Sequence, residues 1–149
     1  MDVLTIFHLL TLIVSAFLCR MPFLNFPMDD DFAIYTYRAR FAKKGFLWKD
    51  DLQIIGIPMW KMILFDKVFS SSDKGHLRVR HLQTLFHAAA CLSIYWVILI
   101  ATQNQWAAFT GGLLYSFYGT SPDLTAGSFN FEQFYIPFIF AGLAFLLNG

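Results

Sequence analysis

Apolar residues are concentrated in four stretches of the chain, and polar residues fill the spaces between them. The stretches cover residues 3–19, 82–102, 106–118 and 134–147. The first stretch would reach about 26 Å as an α-helix, which is just enough to cross the apolar part of a bilayer. The stretch 82–102 has full spanning length, whereas 106–118 is short for a crossing. The pattern predicts an all-α membrane protein with about four transmembrane helices.

The first apolar stretch also has the length of a signal peptide. A signal peptide starts with basic residues and ends at a cleavage site made of small residues. Only Met1 and Asp2 precede this stretch, and no A-x-A sequence follows it. We therefore expect residues 3–19 to be a retained membrane anchor.

The region 20–80 differs from the rest of the chain in its charge. It contains all eleven Lys and Arg residues and seven of the ten acidic residues. Apolar residues recur near helical spacing from Phe32, and Pro58 suits the first position of another helix that carries Trp60. We expect one large loop that contains short helices lying in the lipid headgroup region.

The composition supports a membrane location. The chain is 57% hydrophobic and 14% charged, whereas soluble proteins have about 25% charged residues. Its net charge of +1 is far from the strongly basic charge that a nucleic-acid partner favours. Cys19 and Cys91 both fall in predicted spans and form neither a disulfide framework nor a metal-site pattern. We expect a multi-pass protein of the cell inner membrane or the endoplasmic reticulum, with membrane lipids among its partners.

Acidic residues mark two positions near the predicted spans. Residues 29–31 are three consecutive aspartates shortly after the first span, and Glu132 precedes the fourth. Four spans would bring 20–80 and 119–131 to the same side of the membrane, where an ionisable residue is a candidate for function. Ordinary helix starts are the alternative, because carboxylates stabilise helix N-termini.

A short motif follows the first span. Asp31, Tyr35 and Ala39 stand at Asp-x-x-x-Tyr-x-x-x-Ala spacing. Further residues come in order: Arg40, Gly45, Asp51, Pro58, Arg80 and then Asn130-Phe131-Glu132. In order and spacing, these residues resemble the start of the C-type integral-membrane glycosyltransferases, which use polyprenyl-phosphate sugars. The protein O-mannosyltransferases and the lipid A aminoarabinose transferases belong to this family, in which an acid usually stands where this chain has Phe32.

The resemblance covers nearly the whole chain and implies the N-terminal portion of a longer enzyme. That enzyme would transfer a sugar from a lipid-linked donor to an acceptor on the extracytoplasmic side. Asp31 would be the general base, with Asp30 and Glu132 as further catalytic residues. The implied substrate-binding residues are Tyr35, Arg38, Arg40, Lys44, Asp51 and Asn130. A divalent metal on the aspartates is a further expectation, and attraction to anionic headgroups is the alternative role for the basic residues.

A second class of function stays open. The chain would then be a small non-catalytic membrane subunit that binds other membrane subunits through its helices and loop. Gly111, Gly112 and Ser116 form a small-residue face on the third span, where another helix can pack closely. The excess of basic residues in 20–80 favours a cytoplasmic loop, whereas the resemblance implies the opposite side.

Overall fold

The computed structural model describes residues 2–24, 75–120 and 132–149 of the chain. Within these ranges the chain forms four α-helices and no strand. The helices are α1 (Val3–Arg20), α2 (Gly75–Thr102), α3 (Gln105–Tyr118) and α4 (Glu132–Asn148), and a short 3-10 helix (Met21–Phe23) follows α1. The prediction of an all-helical chain is confirmed for these residues.

The predicted helix positions agree with the structure except at the start of α2. This helix begins at Gly75, whereas the apolar stretch begins at residue 82 and residues up to 80 were expected in the loop. The apolar segment itself begins at Arg80, close to the predicted position, and the helix starts earlier because hydropathy marks only the apolar part of a helix. Residues such as Arg78 and Arg80 are good helix formers and continue the helix beyond that part.

Two of the helical segments are long and apolar enough to cross a membrane. They are Val3–Phe23, with 21 residues, and Arg80–Thr102, with 23 residues. The segment Phe134–Asn148 is apolar but shorter, and α3 has 14 residues. By length and composition, a buried helix of a soluble protein or an N-terminal signal sequence passes the same test. The described residues thus contain two helices of spanning length rather than about four.

Polar side chains cap the first turns of α1 and α3, which lie at the same end of the molecule. The Asp2 side chain accepts a hydrogen bond from the Thr5 backbone N–H at 2.8 Å and caps α1. The Asn104 side chain accepts from the backbone N–H groups of Trp106 and Ala107, which caps α3. Gln103 has a φ of 53°, so the two residues Gln103 and Asn104 reverse the chain direction between α2 and α3.

The helix α2 lies at the centre of the described structure and packs against each of the other three helices. One face of α2 meets α1 and α3, where Leu12, Tyr95 and Ala108 form a fully buried cluster. The opposite side of α2 meets α4, where the centroids of the Phe86 and Phe134 rings are 4.8 Å apart. The residues of α2 therefore decide how the other helices are placed.

Small residues let α1, α2 and α3 approach one another closely. A Cβ atom on Gly112 would lie 2.9 Å from Leu12 Cδ1 and 3.1 Å from the Cys91 carbonyl oxygen. One turn further along α3, Ser116 Oγ lies 2.6 Å from Ser15 Oγ of α1. The small-residue face of α3 is thus packed against helices of the same chain and is not exposed to a partner.

We predict that Gly112→Val destabilises the protein, because the added methyl groups have no space between Leu12 and the α2 backbone. The expected loss is about 1–3 kcal/mol in the free energy of unfolding, as found for overpacked cores. The loss is measured by denaturant or thermal unfolding of the purified protein in detergent, followed by circular dichroism.

Gly142→Val is the matched control, because a Cβ atom on Gly142 has no neighbour within 4 Å. We expect this control to unfold like the wild type. Equal stability of the Gly112 and Gly142 variants would contradict the close packing at Gly112.

Candidate functional site

One end of each of the four helices lies at the same end of the helix bundle. The helices α1 and α3 end there, and α2 and α4 begin there. Three side-chain contacts place these helix ends together: Arg20 with Gln83, His87 with Ser116, and Phe86 with Phe134. We call this the loop end, because the segments 25–74 and 121–131 attach to it.

Two arginines and a glutamine are buried at the loop end, and we call them the arginine cluster (Arg20, Arg80 and Gln83). Arg20 is 1% exposed, Arg80 is 2% exposed and Gln83 is fully buried. Arg20 Nη2 donates to Gln83 Oε1 at 3.4 Å, and Arg80 Nη1 donates to the same oxygen at 3.5 Å. Both bonds are longer than the usual distance of about 2.9 Å, so the amide oxygen forms only a weak hydrogen bond with each guanidinium.

The helical repeat explains how these residues come together. The buried residues of α1 recur at intervals of three and four: Thr5, His8, Leu12, Ala16 and Arg20. Arg20 is therefore on the face of α1 that meets α2, and its charge in the last turn is favoured by the helix dipole. Arg80 and Gln83 are three residues apart on α2, which places them on one side of that helix.

The arginine cluster has unsatisfied hydrogen-bond donors. Arg20 Nη1 and Gln83 Nε2 are buried and have no hydrogen-bond partner. Among the described side chains, Gln83 is the hydrogen-bond partner of Arg20, and no carboxylate is bonded to it. A buried charge without a counter-ion costs roughly several kcal/mol. The open positions at Arg20 Nη1 and Gln83 Nε2 are both donors, so a group that binds them has to supply acceptor atoms.

A second polar layer lies one turn further along α2. His87 Nε2 lies 3.2 Å from the Ser116 carbonyl oxygen, and because a carbonyl only accepts, this nitrogen carries the proton. The His87 ring stacks on Tyr115 with centroids 5.2 Å apart. Ser116 Oγ donates to the Leu113 carbonyl oxygen at 2.8 Å. These contacts fix α2 against α3 directly beneath the arginine cluster.

The opposite end of the bundle has a different polar group. Gln105 Nε2 donates to Asp2 Oδ2 at 2.9 Å and lies 3.4 Å from the Thr5 hydroxyl oxygen. Hydrogen bonds with the Thr5 side chain, then with Gln105 and the Thr5 backbone, lower the pKa of Asp2 from 3.8 to about 2. These contacts tie the start of α1 to the start of α3.

His8 lies one turn inside that end, within a group of aromatic rings. Its ring stacks on Phe109 with centroids 4.4 Å apart and meets the edge of Trp106 at 4.9 Å. Both ring nitrogens of His8 and the hydroxyl of Tyr95 are buried without hydrogen-bond partners. In the described part of the chain, no group of three or more His, Cys, Asp or Glu residues could hold a metal ion.

Most of the site residues predicted from the sequence lie outside the described residues. These are Asp30, Asp31, Tyr35, Arg38, Arg40, Lys44, Asp51 and Asn130. The aspartates on which a divalent metal was expected lie there too. Glu132 is the first residue of α4 and therefore lies at the loop end. The described residues bring no two of the predicted site residues together.

The sequence prediction missed Arg20 and Gln83 as candidate site residues. The sequence does contain an indication for Arg20, because this residue continues the helical spacing of Thr5 and His8 along one face of α1. A cation on the polar side of a spanning helix points to a functional position. Gln83 had no such signal, because its role depends on where α1 ends relative to α2.

Comparisons with protein-family models, with curated proteins and with solved structures give no match to this chain. The resemblance to the C-type glycosyltransferases thus depends on the short motifs themselves. Function has to be inferred from the residues at the loop end.

We predict that the ionised form of Asp2 stabilises the start of α1. Its folded pKa of about 2 is below the ordinary value of 3.8, so the contribution is complete above pH 4 and is lost as the pH falls towards 2. Asp2→Asn keeps the shape of the cap without the charge. The wild type should melt at a higher temperature than this variant at pH 5, and the difference should vanish near pH 2. A difference that is constant over this range would contradict the role of the charge.

Proposed function

We propose that the chain is the N-terminal portion of a multi-pass membrane glycosyltransferase. It would transfer a sugar from a polyprenyl-phosphate donor to an acceptor on the extracytoplasmic side. The observation that carries the proposal is the meeting of the helix ends at the loop end. The segment with the Asp31 motif and the segment with Asn130 both attach to this end. The two parts of the implied catalytic site are therefore connected to the same end of the bundle.

The distribution of exposed apolar side chains supports the membrane location. Large apolar residues of α1 are exposed on the side opposite its buried face: Phe7, Leu10, Val14, Phe17 and Leu18. The helix α4 likewise exposes Phe138, Ile139, Leu143, Phe145 and Leu146. A soluble protein rarely exposes contiguous apolar surface of this kind, whereas lipid covers it favourably. We infer that all four helices lie in the membrane, in the cell inner membrane or the endoplasmic reticulum.

The proposed chemistry follows from the groups at the loop end. The acceptor oxygen forms a bond to the sugar carbon, and the bond from that carbon to the phosphate oxygen breaks. Asp31 takes the proton of the acceptor as general base, while Asp30 and Glu132 orient the acceptor or stabilise the positive charge on the sugar. Substrate contacts come from the residues that the resemblance implies: Tyr35, Arg38, Arg40, Lys44, Asp51 and Asn130. A divalent metal bound by the aspartates would supply further positive charge for the leaving phosphate.

A non-catalytic membrane subunit is the second candidate, and the outer surface of α4 favours it. The helix α4 packs mainly on α2, and Gly142 has open space beside it. A partner helix would therefore bind α4 rather than the small-residue face of α3. Disulfide crosslinking from a Gly142→Cys variant in native membranes would detect such a partner.

We predict that Asp31→Asn abolishes sugar transfer while the protein remains in the membrane. Loss of a general base reduces the rate by about 10²–10⁴-fold. The measurement is transfer of a labelled sugar from a polyprenyl-phosphate donor in membranes that contain the complete protein. Asp73→Asn is the control, because it removes the same charge from the same polar region outside the motif. Wild-type transfer by Asp31→Asn at equal expression would contradict the proposed base.

A further inference from the structure

The helix α3 has an outer face that the other described helices do not cover. The large side chains on this face lie on one side of the helix, and each is more than half exposed: Trp106, Leu114, Phe117 and Tyr118. They extend from the first turn of α3 to the last. In a membrane, lipid therefore contacts α3 along its whole length.

Hydrogen bonds fix the length of α3 at both ends. The Asn104 side chain caps the start, and the Thr120 hydroxyl donates to the Phe117 carbonyl oxygen at 2.7 Å just beyond the end. The 14 residues of α3 have a length of about 21 Å. Because the hydrocarbon region of a typical bilayer is about 30 Å thick, α3 is shorter than the lipid layer beside it by roughly 9 Å.

Residues that favour the membrane–water interface stand at both ends of the outer face. Trp106 is 60% exposed and Tyr118 is 67% exposed. Their positions in the sequence correspond to a separation of about 18 Å along the helix axis. Trp and Tyr favour the headgroup level because their rings are apolar and carry one polar group. These two residues would reach opposite surfaces only in a thin bilayer.

Contacts with α1 oppose a shift of α3 towards one surface. Gln105 Nε2 donates to Asp2 Oδ2 at 2.9 Å, and hydrogen bonds, first with Thr5 and then with Gln105, lower the pKa of Asp2 to about 2. This carboxylate is therefore ionised and favours water over lipid. Further along α3, Ser116 Oγ lies 2.6 Å from Ser15 Oγ. Moving the start of α3 into the hydrocarbon region would break these bonds or bury the charge.

We propose that the protein binds preferentially to thin bilayers and that lipids with short acyl chains surround α3. A hydrocarbon layer of about 20–25 Å would match the outer face of α3 and bring Trp106 and Tyr118 close to its two surfaces. The helices α1 and α2 are longer, with 18 and 28 residues. A helix that is longer than the hydrocarbon layer adapts by tilting, so these two helices are compatible with the same thickness.

This inference depends on the membrane location given under the proposed function and not on sugar transfer. Resistance to extraction from membranes by alkaline carbonate tests that location separately. Extraction by carbonate would contradict the membrane location, and the inference with it. An inserted protein that is indifferent to bilayer thickness would overturn the inference and leave the proposed function intact.

The test is thermal unfolding of the full chain in vesicles of three phosphatidylcholines that differ in acyl-chain length: dimyristoleoyl, dioleoyl and dierucoyl. We expect the melting temperature, followed by circular dichroism, to be highest in the dimyristoleoyl vesicles. It should fall by about 2 °C or more with each longer lipid, because the free-energy cost of mismatch increases with thickness. A melting temperature that is highest in either longer lipid, or equal in all three, would overturn the proposal.

Tyr118→Leu tests whether the end of α3 lies at the interface. We expect this variant to show a smaller difference in melting temperature between the shortest and the longest lipid, because the interfacial anchor is lost. Phe117→Leu is the matched control, since Phe117 is the neighbouring exposed aromatic residue and has no polar group. It should keep the wild-type difference. Equal differences in the two variants would overturn the interfacial position of Tyr118 and the thickness derived from it.

Discussion

The close contact of α1 with α2 and α3 is the constraint on which the other features depend. Gly112 leaves no space for a side chain between Leu12 and the α2 backbone, and Ser15 and Ser116 form a hydrogen bond across the same interface. This contact sets the position of α1 along the bundle. Because Arg20 lies one turn beyond Ala16 on the buried face of α1, the same contact carries its guanidinium to Gln83.

Polar groups join the helices near both ends of this interface, with an apolar layer between them. Asp2, Thr5 and Gln105 join the helix starts at one end, and the arginine cluster lies at the other. Between them, Leu12 and Ala108 are fully buried among apolar neighbours. The Arg20–Gln83 hydrogen bond opposes sliding of α1 along α2, because a shift would leave the buried guanidinium without this acceptor. The bonds of Gln105 to Asp2 and Thr5 oppose sliding of α1 along α3. The positions of the residues at the loop end therefore depend on how far α1 is shifted along its neighbouring helices.

The fold could be predicted from the sequence wherever a helix is apolar throughout. The bounds of α1, α3 and α4 follow the apolar stretches closely. The start of α2 could not be found in this way, since its first turns are polar. The number of helices with spanning length was also overestimated, because α3 and α4 are apolar but short.

The candidate site was less predictable than the fold. Glu132 was expected at the loop end because four antiparallel helices bring alternate connections together, and α4 does begin there. Motif spacing pointed to aspartates in the segment 25–74 and not to Arg20. A cation such as Arg20 gains significance only when its neighbours are known. Whether it faces lipid, water or Gln83 depends on contacts between residues that are 63 positions apart.

The sidedness of the loop end tests the account most directly, because a lipid-linked sugar donor used outside the cytoplasm requires this end to lie outside. A single cysteine at Ser71, in a chain with Cys19→Ala and Cys91→Ala, would be treated in intact cells with a thiol reagent that does not cross the membrane. The account predicts labelling of the intact cells. Labelling only after lysis would place the loop end in the cytoplasm and contradict the glycosyltransferase topology.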